Sequence, residues 1–144
     1  MTELAGHCHC GAIRVDLETP RQAADLPLRA CQCSFCRRHG AETTSDPAGR
    51  LHIEAAPGAA NRYRFAGRSS DFLVCAECGV YVAATLETDD GLIAVLNVRG
   101  VDLPGFEGRQ AQPMIYDDET AGERLARRKA RWTPAVFVET NPSA

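Results

Sequence analysis

The sequence predicts a mainly β protein with a short helix near its C-terminal end. Three observations carry that expectation. Apolar residues recur at every second position in several short runs, Gly and Pro punctuate the chain between those runs, and a helix-start signal followed by good helix formers comes only after residue 119. At 144 residues the chain is long enough to bury a core without help from cross-links, and residues 1–144 read as a single domain.

The elements follow in order. Ile13, Val15 and Leu17 alternate directly after Gly11, as in a half-buried strand, and Thr19-Pro20 ends it. LPLRACQC is a second short extended run that delivers Cys31 and Cys33, after which SFCRRHGA curls into a turn or a single helical turn. DPAGR (46–50) and APGAAN (56–61) are loops around a short LHIEA strand, and the alternation of RYRF reads as another strand. SSDFLVC and GVYVAATL form two strands joined by the turn Cys75-Ala76-Glu77-Cys78-Gly79, and LIAVLNV makes a further strand before a Pro/Gly-broken stretch. Thr120 and Glu123 have capping-box spacing ahead of ERLARRKARW, which places Leu125, Lys129 and Trp132 at roughly helical intervals. TPAVFVE closes the chain as a strand, and NPSA is a frayed tail.

The net charge of −3 and pI of about 5.8 give no general attraction to nucleic acid or to an anionic membrane, and no run approaches the roughly 18 apolar residues of a membrane span. MTELAGHCHCGAI has neither the basic start nor the apolar stretch of a signal peptide, so the expectation is a soluble cytoplasmic protein. In a reducing cytosol thiols stay free. An odd count of seven cysteines also argues against a full set of intramolecular disulfides, which leaves metal binding or thiol chemistry as the leading explanation.

All seven cysteines fall into three clusters: Cys8-His9-Cys10-Gly11, Cys31-Gln32-Cys33-Ser34-Phe35-Cys36 and Cys75-Ala76-Glu77-Cys78-Gly79. Cysteines that merely fill a core would be scattered. In extended backbone residues i and i+2 project from one side, so Cys8 with Cys10 and Cys31 with Cys33 can each bring two sulfurs to one point; CxxC does so through a tight turn in which Gly79 takes a positive φ. Two CxC elements with one CxxC, and no thioredoxin-like βαβ setting, favour zinc.

Either CxC pair can in principle join the distant CxxC, and the loop-closure costs differ by only about 0.5 kcal/mol. Ligand number is more informative. Cys8, Cys10, Cys75 and Cys78 complete a closed four-thiolate set, whereas Cys31, Cys33 and Cys36 supply three ligands and leave one position for water or substrate. His39, three residues on, is the alternative fourth ligand that would close the triplet as a second structural site. Arg37 and Arg38 are candidates for holding the carboxylates of a peptide thiol, against the simpler reading of a solvated surface pair. His7 and His9 alternate with the first cysteine pair and read as surface residues or supports for the ligands rather than ligands.

GHCHCGAIRV, CQCSFCRRHGA and FLVCAECGVYV, in this order and at these separations over about 75 residues, resemble the glutathione-dependent formaldehyde-activating enzyme family, which includes the centromere protein V group. The resemblance implies a β-tent fold of short antiparallel sheets with two zincs per chain. Cys8, Cys10, Cys75 and Cys78 match the family's structural site, and Cys31, Cys33 and Cys36 its catalytic one. It further implies a carbon–sulfur lyase that joins a small-molecule thiol, glutathione or similar, to an aldehyde. Two other readings stand beside it: a noncatalytic zinc module whose ARRKAR segment (126–131) contacts a macromolecule, and a thiolate–zinc redox sensor.

Overall fold

The computed structural model describes residues 1–65 and 70–140; the tail expected at 141–144, and residue 69 of the SSDFLVC run, lie outside them. Among the described residues eleven strands and three α-helices follow one another, with a 3-10 turn at Ala23–Asp25. Strands β1 (Thr2–His7) and β2 (Ile13–Thr19) precede β3 (Arg29–Cys31), helix α1 (Ser34–His39) and the two-residue strand β4 (Thr43–Thr44). Next come β5 (Arg50–Ala55), β6 (Ala60–Tyr63), β7 (Asp71–Cys75), β8 (Tyr81–Thr88) and β9 (Gly91–Asn97). The chain ends with α2 (Val98–Val101), β10 (Gln112–Met114), α3 (Ala121–Arg131) and β11 (Thr133–Glu139).

The strands join into one open mixed sheet in the order β1-β2-β5-β11-β9-β4-β3-β10, with β6, β7 and β8 branching from β9. Strand β11 is the junction. Its first residues pair with β9 through Thr133 and Pro134, and its remainder runs parallel to β5 from Ala135 to Glu139. Most ladders are antiparallel, as expected, and the pairings of β5 with β11 and of β3 with β10 are parallel. Both parallel partners are distant in sequence, and the spacing of apolar residues carries no sign of strand direction.

Alternation explains how the sheet holds two cores. In β2, Ile13, Val15 and Leu17 point inward, and polar residues between them face water. Along β9, Ala94 and Leu96 enter the main core while Ile93 and Val95 face a second cluster built around Cys36, Phe72, Tyr81 and Trp132. Cys8 and Cys75 lie in the main core, with Cys78 packed against it. One cysteine group is therefore rooted in each cluster.

Several elements escaped the sequence pattern. Strand β1 buries only Leu4, so it has no visible period, and it is held by pairing along its full length with β2. Strands β4 and β10 are too short to carry a pattern. The segment 56–61 is not all loop, because β6 begins at Ala60 and ends at Tyr63. Helix α2 is a single turn fixed by close approach: a Cβ on Gly100 would lie 2.3 Å from the Tyr81 carbonyl oxygen and 2.8 Å from Asn97 Nδ2. Gly100→Ala should therefore cost about 2–3 kcal/mol and lower Tm by roughly 5–10 °C in a thermal melt followed by circular dichroism. An unchanged Tm would mean that this contact is not tight.

Helix α3 starts where the sequence placed it. The Glu123 N–H donates to Thr120 Oγ1 at 3.1 Å and the Thr120 N–H to Glu123 Oε1 at 2.9 Å, the full capping box. Its covered face is not apolar. Trp132 is buried just after the helix, but Leu125 is 41% exposed, and the partly covered side chains of the helix are Arg124, Arg127 and Arg128. Among the described residues no helix is long and apolar enough to cross a membrane.

Candidate metal centres and the adjoining pocket

The first cysteine group is assembled by two turns. Cys8 follows β1 and Cys10 lies in the turn to β2, where the Gly11 N–H donates to the Cys8 carbonyl at 3.0 Å and Gly11 takes φ +83°. The pair thus converges through a turn and not through the extended backbone expected from its CxC spacing. Cys75 ends β7, and the knuckle back to β8 closes with Gly79 N–H to Cys75 O and Cys75 N–H to Val80 O, both at 2.9 Å. Gly79 has φ +80°, as the motif required.

The four sulfurs of Cys8, Cys10, Cys75 and Cys78 lie within 4.8 Å of one another. Cys8 and Cys10 Sγ are 3.7 Å apart and Cys10 and Cys75 Sγ 3.6 Å, far beyond a disulfide. A tetrahedron with Zn–S bonds of 2.3 Å has edges of about 3.8 Å, so the donor set fits a closed thiolate site. The Ile13 N–H donates to Cys8 Sγ at 3.3 Å, the kind of support a thiolate ligand needs. Cys78 is lowered to about 6: burial opposes the shift, but the amides of Cys10 and Val80 and the neighbouring thiols outweigh it.

The second group is built across a strand end and a helix start. Cys31 ends β3, Cys33 is the N-cap of α1 and Cys36 lies within that helix. Cys33 Sγ accepts the Cys36 N–H at 3.3 Å, doing the work that Ser or Asp usually does at this position. Gly40 closes the helix with φ +58°. The three sulfurs lie within 4.8 Å of one another, and among the described residues no fourth His, Cys, Asp or Glu joins them. Cys33 is pushed down to about 2, first by the Cys31 thiol and then by that of Cys36, while Cys36 is pushed up by Cys31, then Cys33, then burial. Three sulfurs this close form a donor set that a metal cation can take over on displacing their protons.

His39 does not supply the fourth ligand. Its ring lies against Phe35 at 4.5 Å between centroids and against Tyr81 at 5.7 Å, and it lines a different cavity with His7 and His9. His7 and His9 are exposed. Arg37 and Arg38 are exposed on α1; Arg38 donates to the Ser34 carbonyl at 3.3 Å and borders that other cavity.

A cavity of about 340 Å³ opens over the triplet, within the range of small-molecule sites. Cys31, Cys33 and Cys36 line it, with the buried Tyr81 beside them. The Tyr81 hydroxyl is held well above its ordinary pKa, by burial first and then by charge on the three cysteines, and so stays protonated. Part of the lining is apolar: Phe65, Phe72, Ala84, Val95 and Trp132. Part is basic, with Arg29 from β3 and Arg124, Arg127, Arg128 and Arg131 from α3.

The last four sit at i, i+3, i+4 and i+7, the spacing that stacks side chains on one helix face. The sequence contains this signal, but the segment ARRKAR (126–131) leaves Arg124 outside it. Arg127 donates to both Glu119 oxygens, at 2.7 and 3.0 Å, and its guanidinium stands 3.6 Å from the centroid of the Tyr116 ring. Arg128 donates to Ser70 Oγ at 3.3 Å and lies 4.9 Å from the Trp132 ring centroid. It is lowered to about 10, by burial and then by the like charges of Arg127 and Arg124.

The Glu119–Arg127 pair is mostly shielded and holds the Glu119 carboxyl below its ordinary range. A carboxylate with a depressed folded-state pKa stabilises above its unfolded value and loses that contribution as the pH falls through the folded value. Glu119→Gln should thus cost on the order of 1 kcal/mol at pH 7. The cost should shrink toward zero in melts taken progressively below pH 4.5, and a cost independent of pH would contradict this role.

Residues 3–115 match the family described as glutathione-dependent formaldehyde-activating enzyme. The chain belongs to that family. The match extends beyond the three cysteine motifs and stops before α3 and β11. Among solved structures, a structural-genomics protein from Rhodobacter sphaeroides is 28% identical, with a TM-score of 0.53 over 78% of this chain and 99% of that one. The description of that protein states no activity.

Proposed function

We propose that the protein is a zinc-dependent carbon–sulfur lyase, or aldehyde-activating enzyme, that makes or breaks a thiol–aldehyde adduct in the manner of an S-(hydroxymethyl)glutathione synthase. Cys8, Cys10, Cys75 and Cys78 hold a structural zinc, and Cys31, Cys33 and Cys36 hold a catalytic one. The observation that carries this reading is the triplet itself. Three sulfurs converge at the edge of a substrate-sized cavity and no fourth ligand joins them among the described residues, whereas the quartet is complete.

Zinc bound there would keep a substrate thiol in its thiolate form at neutral pH. The condensation forms one C–S bond, and the proton leaving sulfur ends on the former carbonyl oxygen; the reverse reaction undoes both, with no change of oxidation state. The chain's own residues supply the surroundings. The Cys36 N–H fixes Cys33, the aromatic wall excludes water, and the basic wall offsets thiolate charge. A compartment that keeps thiols reduced, such as the cytoplasm, suits seven free cysteines.

The test is thiol consumption by the zinc-loaded protein with glutathione and a panel of aldehydes, formaldehyde included. Acceleration that requires both zinc and thiol is expected for at least one aldehyde. Its absence for every aldehyde, together with no change on adding thiol in the absorption of protein carrying cobalt in place of zinc, sinks the enzyme reading.

A further inference from the structure

Helix α3 is turned inside out. An ordinary surface helix buries its apolar stripe and shows its charges to water. Here Ala121, Leu125, Ala126 and Ala130 are all exposed, while Arg124, Arg127 and Arg128 are partly covered and line the cavity with Arg131. Guanidinium groups are rarely placed inward unless something is there to meet them. Among the described residues five arginines line the cavity, and the carboxylates beside them are Asp117 in the lining and Glu119 behind Arg127 and Arg124, the latter at 3.8 Å from Arg124. Positive charge is in excess, and a low-dielectric wall of aromatic side chains strengthens its field.

The apolar part of the lining carries independent information. Phe65, Phe72, Ala84, Val95 and Trp132 present far more apolar surface than a one-carbon aldehyde can cover, and Phe65 and Phe72 form a tilted pair 4.8 Å apart between centroids.

We infer that this cavity takes an amphipathic organic anion, a thiol adduct whose carboxylate lies on the arginines of α3 and whose apolar body, larger than a single carbon, lies on the Phe65–Trp132 wall. The inference rests on the proposed site and narrows it. The carboxylate-holding role expected of Arg37 and Arg38 falls to Arg124, Arg128 and Arg131, on a helix beyond the segment shared with the family. These are specificity residues: they hold the substrate by an acid group remote from the reacting sulfur.

Three unreactive thioethers test this by calorimetry on the zinc-loaded protein: 3-(benzylthio)propionate, its methyl ester and 3-(methylthio)propionate. The benzyl acid should bind at least tenfold more tightly than either of the others. The double variant Arg124→Met with Arg131→Met should lose the preference for acid over ester, and Phe65→Ala the preference for benzyl over methyl. Equal affinity of acid and ester in the unmodified protein overturns the inference, as does a preference for acid that survives in a folded double variant. Because the probes carry no thiol, their discrimination is read separately from thiol binding by the cobalt-substituted protein. The enzyme reading and the ligand assignment can therefore fail independently.

Discussion

Replacing Cys75 by serine is expected to leave the chain largely unfolded at 25 °C. The side chain is 1% exposed, ends β7 and lies in the main core. Its sulfur is 3.6 Å from that of Cys10, 65 positions away in sequence, so the quartet ties the β1–β2 turn to the β7–β8 knuckle. A structural zinc contributes about 10–16 kcal/mol of apparent binding energy to folding. A domain of this size has a net stability of only about 5–15 kcal/mol. Losing one of four ligands removes enough of the first quantity to exhaust the second. Serine is nearly the shape of cysteine, so packing changes little and the effect reports on the metal. Circular dichroism should show loss of the cooperative melt, and a Tm within a few degrees of the unmodified protein would contradict a structural role for the quartet.

The largest effect on activity is expected at Cys33. Cys33→Ser should lower thiol-dependent aldehyde conversion by about a thousandfold or more, since several kcal/mol of barrier lowering depend on an intact metal site and each 1.4 kcal/mol is tenfold in rate. The fold should survive. Cys33 is the N-cap of α1, and serine is among the best residues for that position, so the acceptor for the Cys36 N–H is retained. The measurement is turnover beside Tm for the same preparation. Activity within tenfold of the unmodified protein would remove the triplet from the chemistry, whatever its metal content.

The same contrast explains what the sequence made legible. Motifs whose geometry is local were readable: the capping box at Thr120 and Glu123, the Cys75–Gly79 knuckle, the alternation at Ile13, Val15 and Leu17. The division of the cysteines into a quartet and a triplet followed from counting ligands, and the sulfurs converge in those two groups. What escaped depends on long-range packing. Strand β1 exists because β2 offers it a full ladder, and β11 runs parallel to β5 because it leaves β9 partway along the sheet. The turn at Cys8–Cys10 replaces an extended pair because Gly11 reverses the chain there.

The basic face of α3 shows the limit most clearly. Hydrophobic periodicity predicts which face of a helix is buried only when burial is apolar. Leu125 is exposed, because the space beneath the helix is a cavity over the cysteine triplet and not a core. A spacing of i, i+3, i+4, i+7 in arginines was the only trace of this in the chain, and its meaning depends on where the sheet delivers Cys31, Cys33 and Cys36.

The most direct test of the account is the zinc content of Cys31→Ser beside that of the unmodified protein, measured on folded, desalted samples. Two zincs per chain are expected in the unmodified protein and one in the variant, with circular dichroism and Tm nearly unchanged. Loss of both metals with unfolding, or retention of both, would contradict the separation of a closed quartet from an open triplet.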